Sequence, residues 1–584
     1  MRAFSVLPLL HLASLVSAQC KCAHGNDCWP TDEKWSSFNT SVSGKLLSTT
    51  PVAASCYPGP DQNDTQCAEV NKFWKDAAWQ ADQPIGYDYP FNRSCLPVDL
   101  AAGEVPGSCT LGDMPVFAVN VTTEDDIVKT IQFAKDNNIR LVIKSTGHDI
   151  LKRSTGYGSL SIWLYNFRNG VDFHESYSSV NTCAEESWAG SAFTVKGAYA
   201  WSDIYPLADE KDLVLVGGNN KGPCSTGGWT QGGGHSGLGH YYGMGADQVL
   251  SARVVLASGE IVTASRCSHP DLFTALRGGG PGTYGVVTEM TFKAFPTQNV
   301  TVTYVEVGSA TANRSVFLDA MEEVYSSFPY LADQGFAGYG TWSINAPAAL
   351  FGNYTTAYTQ SLTQLGGTAA RAAAAYAPVL EKLSALRGAD LSVNVTHRDF
   401  ASWAAFFNTK PDTVAPVGTV GCSGSRLLDR PALAGNRTRL REAVEAMAGT
   451  PDQQTYHNTG LHGGAIHEHA NDTYSAVLPA WRKAYVLDLV ARRWNGDAAH
   501  DAGVSDDIRN VKVAAMEKLA PDSGSYMNEA DWGNPNWQVD FYGENYGKLS
   551  EIKEKYDPES VFYCLTCVGS EKWEEAADGS LCKV

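Results

Sequence analysis

The chain has 584 residues, about four times the ~150-residue prior for one domain, so two large lobes or a domain with a big insertion are expected. Apolar residues make up 43% and charged residues 18%, an ordinary globular mix, and 55 Gly with 26 Pro are too few and too scattered for a collagen-like or low-complexity chain. With 44 Lys+Arg against 63 Asp+Glu the formal charge is −19, which repels phosphate backbones and anionic lipid, so no nucleic acid and no membrane is expected as a partner.

Met1 and Arg2 precede a mostly apolar stretch over 4–16 and the small residues Ser17-Ala18, the pattern of a secretory signal peptide over 1–18 that is too short to span a bilayer. No later segment has the ~18 uninterrupted apolar residues of a transmembrane helix, and the mature chain is expected to be secreted and extracellular. All 14 Cys follow the cut, and seven of them, Cys20, Cys22, Cys28, Cys56, Cys67, Cys95 and Cys109, crowd the first quarter, which suits disulfides. Ten Asn-x-Ser/Thr sequons, at Asn39, Asn63, Asn92, Asn120, Asn299, Asn313, Asn353, Asn394, Asn436 and Asn471, mark expected surface loops. Cys20-x-Cys22 and Cys564-x-x-Cys567 have no companion pair at zinc-finger spacing, so no metal is expected.

Residues 19–110 show little periodicity and read as a Cys-rich cap. From 116 the texture changes: a strand over 116–121, an amphipathic helix over 123–137 opened by Thr123 and acidic residues, and a short strand over 141–143 make a β-α-β start. That last strand runs into Lys144-Ser145-Thr146-Gly147-His148-Asp149, whose backbone N–H groups, two hydroxyls and one positive charge suit a diphosphate. A histidine bonded to its own loop is the plainer reading of His148.

A second glycine block, Gly227-Gly228-Trp229-Thr230-Gln231-Gly232-Gly233-Gly234-His235-Ser236, leads through Asp247 to a strand over 249–256, and Ser258-Gly259-Glu260 reads as a hairpin turn. Glycine at this density lets backbone lie flat against a planar ligand. A third runs from Arg277 through Gly278, Gly279, Gly280, Gly282 and Thr283 to Gly285, and feeds Val286 and Val287. Neither P-loop nor Rossmann spacing is met anywhere. Beyond it, a strand over 300–307 and helices over 313–327, 368–386 and 476–494 suit an α+β lobe. Residues 526–584 are aromatic-rich and loop-like, and no internal repeat occurs.

Taken together, the Lys144 to His148 turn, the Gly-Gly-Gly-His-Ser block with Asp247, the run from Asp271 to Val287, and the C-terminal Tyr526-Met527-Asn528-Glu529 and Tyr542-Gly543-Glu544-Asn545-Tyr546 resemble berberine-bridge-enzyme-like FAD oxidases. These belong to the vanillyl-alcohol-oxidase superfamily with its PCMH-type FAD-binding domain, and the resemblance is closest to secreted fungal members. It implies that Lys144, Ser145, Thr146, Gly147 and Asp149 wrap the FAD diphosphate and that His148 carries the flavin covalently. Gly232, Gly233, Gly234, His235, Ser236, Asp247, Thr283, Gly285, Val286 and Val287 would line the cofactor channel, with Asn528, Asn545 and Tyr546 closing over the ring. Bicovalent relatives carry a second anchor Cys; here Cys224 stands nearer the glycines than in those relatives, so either it is the second link or His148 is the single one.

The implied reaction takes a hydride from a substrate alcohol or hemiacetal carbon, with O2 as acceptor giving H2O2. Tyr526 is the expected base, its pKa lowered by a nearby cation, with Glu529 as second candidate. A small molecule or an oligosaccharide is the expected substrate. His462, His467 and His469 read equally well as local surface residues, and Trp481 and Arg482 as structural. A dehydrogenase with another acceptor, or a secreted flavin- or carbohydrate-binding protein without turnover, are the alternatives; a Ser hydrolase would need a Gly-x-Ser-x-Gly elbow that Cys422-Ser423-Gly424-Ser425 lacks. The expected fold is α+β, a two-lobed PCMH-type FAD-binding domain over 111–297 with an inserted α+β substrate domain over 298–520, preceded by the Cys-rich segment 19–110 and completed by 521–584.

Overall fold

The computed structural model describes residues 20–584 except 92–93, 180–182, 310–313, 347–350, 353, 387, 389, 411–416 and 451–452. The signal reading over 1–18 and the sequons Asn92, Asn313 and Asn353 lie outside the described residues. Of the other sequons, Asn63, Asn299, Asn394, Asn436 and Asn471 are exposed, and Asn39 and Asn120 partly so.

Leu46–Ser48 (β1), Phe117–Asn120 (β2), Leu141–Lys144 (β3) and Leu160–Trp163 (β4) form a sheet in the order β1-β2-β4-β3, with β4 parallel to both β2 and β3. The helix Glu124–Asp136 starts where expected: Thr123 Oγ1 accepts from the Asp126 N–H, and the Asp126 carboxylate accepts from the Thr123 N–H. Its Ile127, Ile131 and Ala134 are buried against Val119, Leu141 and Ile162 of the sheet. A second sheet is antiparallel, with Arg168–His174 (β5), Ala192–Gly197 (β6), Val249–Val255 (β8), Ile261–Ala264 (β9) and Val286–Lys293 (β10) in the order β5-β6-β10-β8-β9; Leu213–Val214 (β7) pairs apart from it with Phe295–Pro296 (β11). Gly259, at φ +85°, turns the β8–β9 hairpin.

The third sheet has seven antiparallel strands: Val300–Ser309 (β12), Ala337–Ser343 (β13), Thr356–Leu365 (β14), Ser392–Phe400 (β15), Gly421–Asp429 (β16), Tyr456–Leu461 (β17) and Ala484–Arg493 (β18), in the order β15-β12-β14-β13-β17-β18-β16. One face buries Val305, Trp342, Tyr358 and Val490 against the helices Arg314–Asp333, Ala369–Ala385 and Arg437–Met447. The other face is polar. Register places Glu306 opposite both Thr359 and Asn394, and Thr341 opposite both Thr359 and Asn458.

Two expectations are overturned. Residues 476–494 are not one helix: Pro479 opens a short turn, and the Val486, Asp488, Val490 alternation is consumed as β18 between β16 and β17. The C-terminal segment holds the helices Trp537–Tyr542 and Tyr546–Tyr556, the second burying Leu549, Ile552, Lys553 and Tyr556 at helical spacing. The N-terminal segment is held by Cys22–Cys28, Cys56–Cys67 and Cys95–Cys109, while Cys20–Cys582 joins it to the C-terminal residues.

Lys553 lies buried with its Nζ 2.6 Å from Asp557 and donating to the Thr283 and Phe562 carbonyls, so it ties the third glycine loop to the C-terminal helix. Replacing Lys553 with Met strands the Asp557 carboxylate in the interior; chemical denaturation is expected to show a loss of about 3–5 kcal/mol. A loss under ~1 kcal/mol, the scale of an exposed pair, would contradict this.

Candidate active site

Strand β3 turns at Gly147, which adopts φ +81° and whose Cβ, if present, would lie 2.7 Å from the Gly86 carbonyl. Ser145, Thr146, Gly147, His148 and Asp149 all line one cavity of about 1190 Å³, as does Ile143. Lys144 does not. Strand alternation turns it away from the cavity, and its Nζ donates to the Ala81 and Gln83 carbonyls at 3.2 and 3.0 Å. Burial pushes its pKa down to about 7, against the opposing pull of Asp88 and Asp82. The expectation that this cation meets a diphosphate is corrected: it fastens the N-terminal segment.

His148 Nδ1 lies 2.6 Å from Asp88 Oδ2. Asp88 is 2% exposed, and its other oxygen has no hydrogen-bond partner. Burial disfavours the charged imidazole, but the bond and charge of Asp88, with Glu529 and Asp149 adding to them, outweigh it and raise the His148 pKa above its usual value. No motif marks Asp88 in the sequence. Asp149 accepts from the backbone N–H groups of Leu151, Arg153 and Ser154, fixing the loop that sends Arg153 across to the C-terminal segment. There Arg153 Nη1 donates to Asn528 Oδ1 at 2.8 Å and Nη2 to the Met527 carbonyl at 2.5 Å.

The triple glycine is packed closely against protein. A Cβ on Gly232 would lie 2.4 Å from Asn528 Nδ2, and one on Gly234 2.8 Å from the Trp229 ring. Gly232, Gly233 and Gly234 are off the cavity wall, which is formed here by Gly227 and Gly228 of the same block with Trp229 and His235. Gly285, Val286 and Val287 reach the cavity. Ser236, Asp247, Thr283, Asn545 and Tyr546 are not on that wall, and each has a protein partner. Ser236 Oγ accepts from the Leu238 N–H, and Asp247 is paired through both oxygens with Arg482 at 2.8 Å. The Thr283 carbonyl takes Lys553, Asn545 Nδ2 donates to the Ala476 and Val477 carbonyls, and the Tyr546 hydroxyl meets Glu571. Asp247, His469 and Asp472 converge, but Arg482 and Arg277 already occupy the two carboxylates.

Opposite polar groups come from the C-terminal segment. Glu529 Oε1 lies 3.2 Å from His235 Nε2, and His235 Nδ1 lies 2.7 Å from the Tyr339 hydroxyl. Tyr526 is buried, accepts from Asn528 Nδ2 at 2.8 Å and packs edge-on against His235 and Trp481. Burial, then the charge of Glu529, raises its pKa above the ordinary phenol value, against the pull of the Asn528 hydrogen bond and Arg153. His462 is no surface residue: it is fully buried against His235, Tyr339 and Trp481, with neither ring nitrogen hydrogen-bonded. Cys224 is a free, buried thiol on the same cavity, and burial pushes its pKa up.

Residues 115–265 match the FAD binding domain model and residues 525–566 the model called Berberine and berberine like. With this architecture, they define a flavin-dependent oxidoreductase. The chain is 47% identical to FAD-linked oxidoreductase apf9 of Gibberella fujikuroi, over 99% of each chain. It superposes on the VAO-type flavoprotein MtVAO713 of Myceliophthora thermophila with a TM-score of 0.93 at 40% identity, covering 97% of this chain and 100% of that one. Glucooligosaccharide oxidase of Acremonium strictum shares the fold at 19% identity and a TM-score of 0.65, over 91% of this chain and 99% of that one. The protein belongs to the berberine-bridge-enzyme-like family of VAO-type FAD-linked oxidoreductases.

Because the Asn528 amide is held by Arg153, Gly228 and Tyr526, it has nowhere to retreat from an added methyl. Gly232→Ala is expected to lower the urea midpoint by an amount equivalent to about 1–3 kcal/mol. An unchanged midpoint would show that Asn528 does not pack on this glycine.

Proposed function

We propose that the protein is a secreted oxidoreductase that removes a hydride from the alcohol or hemiacetal carbon of a small-molecule or oligosaccharide substrate, with FAD attached covalently to His148 and O2 as acceptor. The observation that carries this reading is a single cavity holding both His148, clamped by Asp88, and Glu529, clamped by His235. The cavity suits FAD: the turn 145–147 offers backbone N–H groups and two hydroxyls to a diphosphate, and glycine-flanked backbone forms the adjoining wall. FAD bound there would accept the hydride and pass two electrons to O2, which with two protons becomes H2O2.

Glu529 takes the substrate hydroxyl proton. Its Oε1 accepts from His235, whose Nδ1 accepts from Tyr339, so the carboxylate is oriented and its second oxygen is left for substrate. Tyr526 stays a neutral phenol that holds Asn528 and walls the site. Asp88 fixes the His148 ring and its tautomer, as a carboxylate does behind a ligating histidine. The FAD of Acremonium strictum glucooligosaccharide oxidase carries both a cysteinyl and a histidyl bond. Burial disfavours the Cys224 thiolate that a second bond would need, which favours single attachment through His148. Six disulfides and exposed sequons support secretion, and no helix among the described residues is long and apolar enough to cross a membrane.

In denaturing gels, flavin fluorescence is expected to stay with wild type and with Cys224→Ala and to leave His148→Ala; loss from Cys224→Ala alone would contradict single attachment. With an alcohol that wild type turns over, Glu529→Gln is expected to lower kcat by about 10²–10⁴-fold and Tyr526→Phe by less than ~10-fold. The reverse order would return the base to Tyr526.

A further inference from the structure

Lys410 is a cation on this cavity that stands outside the machinery above. Lys410 follows the helix Trp403–Phe407 and reaches the cavity wall together with Trp403, Phe406 and Asn219. Its Nζ stands over the Phe406, Phe407 and Trp403 rings at 4.7, 5.5 and 5.7 Å. Among the described residues its Nζ has the Asn219 side-chain oxygen as hydrogen-bond partner and no carboxylate within ion-pair distance. A buried ammonium without a counter-ion is unfavourable, and ring faces offset only part of the lost hydration. Burial alone, with no charged neighbour contributing, pushes it down to about 7. The described groups packed on it, three aromatic rings and an amide, do not titrate.

Its position ties it to the reacting end. A Cβ on Gly237, two residues past His235, would lie 3.1 Å from the Trp403 ring and 3.3 Å from Thr363 Oγ1, so the aromatic wall beside Lys410 adjoins the segment that carries the Glu529 partner. Among the described residues Glu306 of the sheet and Glu529 of the C-terminal segment form no ion pair with Lys410; Arg492 and Arg493 of β18 line the cavity too, Arg492 held by Asp507 and Arg493 over the Tyr456 ring.

We propose that Lys410 and the Trp403–Phe407 wall form an anion subsite that seats the carboxylate of an apolar organic acid substrate while its carbinol carbon reaches the Glu529 side of the cavity. The inference rests on the oxidoreductase reading and deepens it by naming a substrate class: hydroxy acids with an aromatic or otherwise apolar body.

The test is calorimetric titration of the purified yellow holoprotein with benzoate and its neutral counterpart benzamide, in wild type, Lys410→Met and Lys410→Arg. Wild type is expected to bind benzoate more tightly than benzamide and to lose that preference as pH rises through 7. Lys410→Met is expected to weaken benzoate at least tenfold and leave benzamide unchanged, and Lys410→Arg to keep the preference. Equal benzoate affinity in wild type and Lys410→Met, or no preference for benzoate in wild type, overturns the subsite. Loss of bound flavin from a folded Lys410→Met would assign the cation to the cofactor and overturn it as well. Colourless wild-type protein would instead sink the oxidoreductase reading itself.

Discussion

The contact between Asp88 and His148 is the constraint on which the site depends. Asp88 sits in the disulfide-held N-terminal segment, yet its backbone N–H donates to the Gly147 carbonyl and its own carbonyl accepts from the Gly418 N–H. Three separate parts of the chain therefore meet at one residue: the N-terminal segment, the turn after β3, and the loop entering β16. The carboxylate then holds the imidazole at 2.6 Å. A buried carboxylate needs a partner, and His148 is the hydrogen-bond partner it has.

The same low-dielectric interior sorts the acid–base groups. Burial raises Tyr526 and Cys224 away from their ionised forms and lowers Lys144 and Lys410, so none of these is strongly charged at no expense. What distinguishes Glu529 is an orienting histidine with a tyrosine behind it. On the proposed mechanism, proton uptake falls to a carboxylate on the cavity rim, and the phenol expected for that task becomes part of the wall.

Much of the fold was legible where local chemistry decides it. The helix after Thr123 follows from its capping box, the β8–β9 hairpin from Gly259, and the cavity-facing turn from Ser145 to His148. What stayed hidden depends on distant pairing. Strand β18 has an apolar run that suits a helix equally well until β16 and β17 claim it. Asp88, Tyr339 and Lys410 carry no motif, because their roles arise only when segments far apart in sequence close on one cavity. The glycine block was visible, but not that its triple glycine packs on Asn528 and Trp229, which constrains backbone as strictly as a planar ligand does.

The measurement that tests the central claim most directly is the fraction of flavin retained by Asp88→Asn after acid precipitation, compared with wild type at equal folded content by circular dichroism. If Asp88 sets the His148 imidazole for the proposed link, the variant should bind FAD yet release most of it on denaturation. Full retention would contradict the account, because the imidazole would then need no carboxylate behind it.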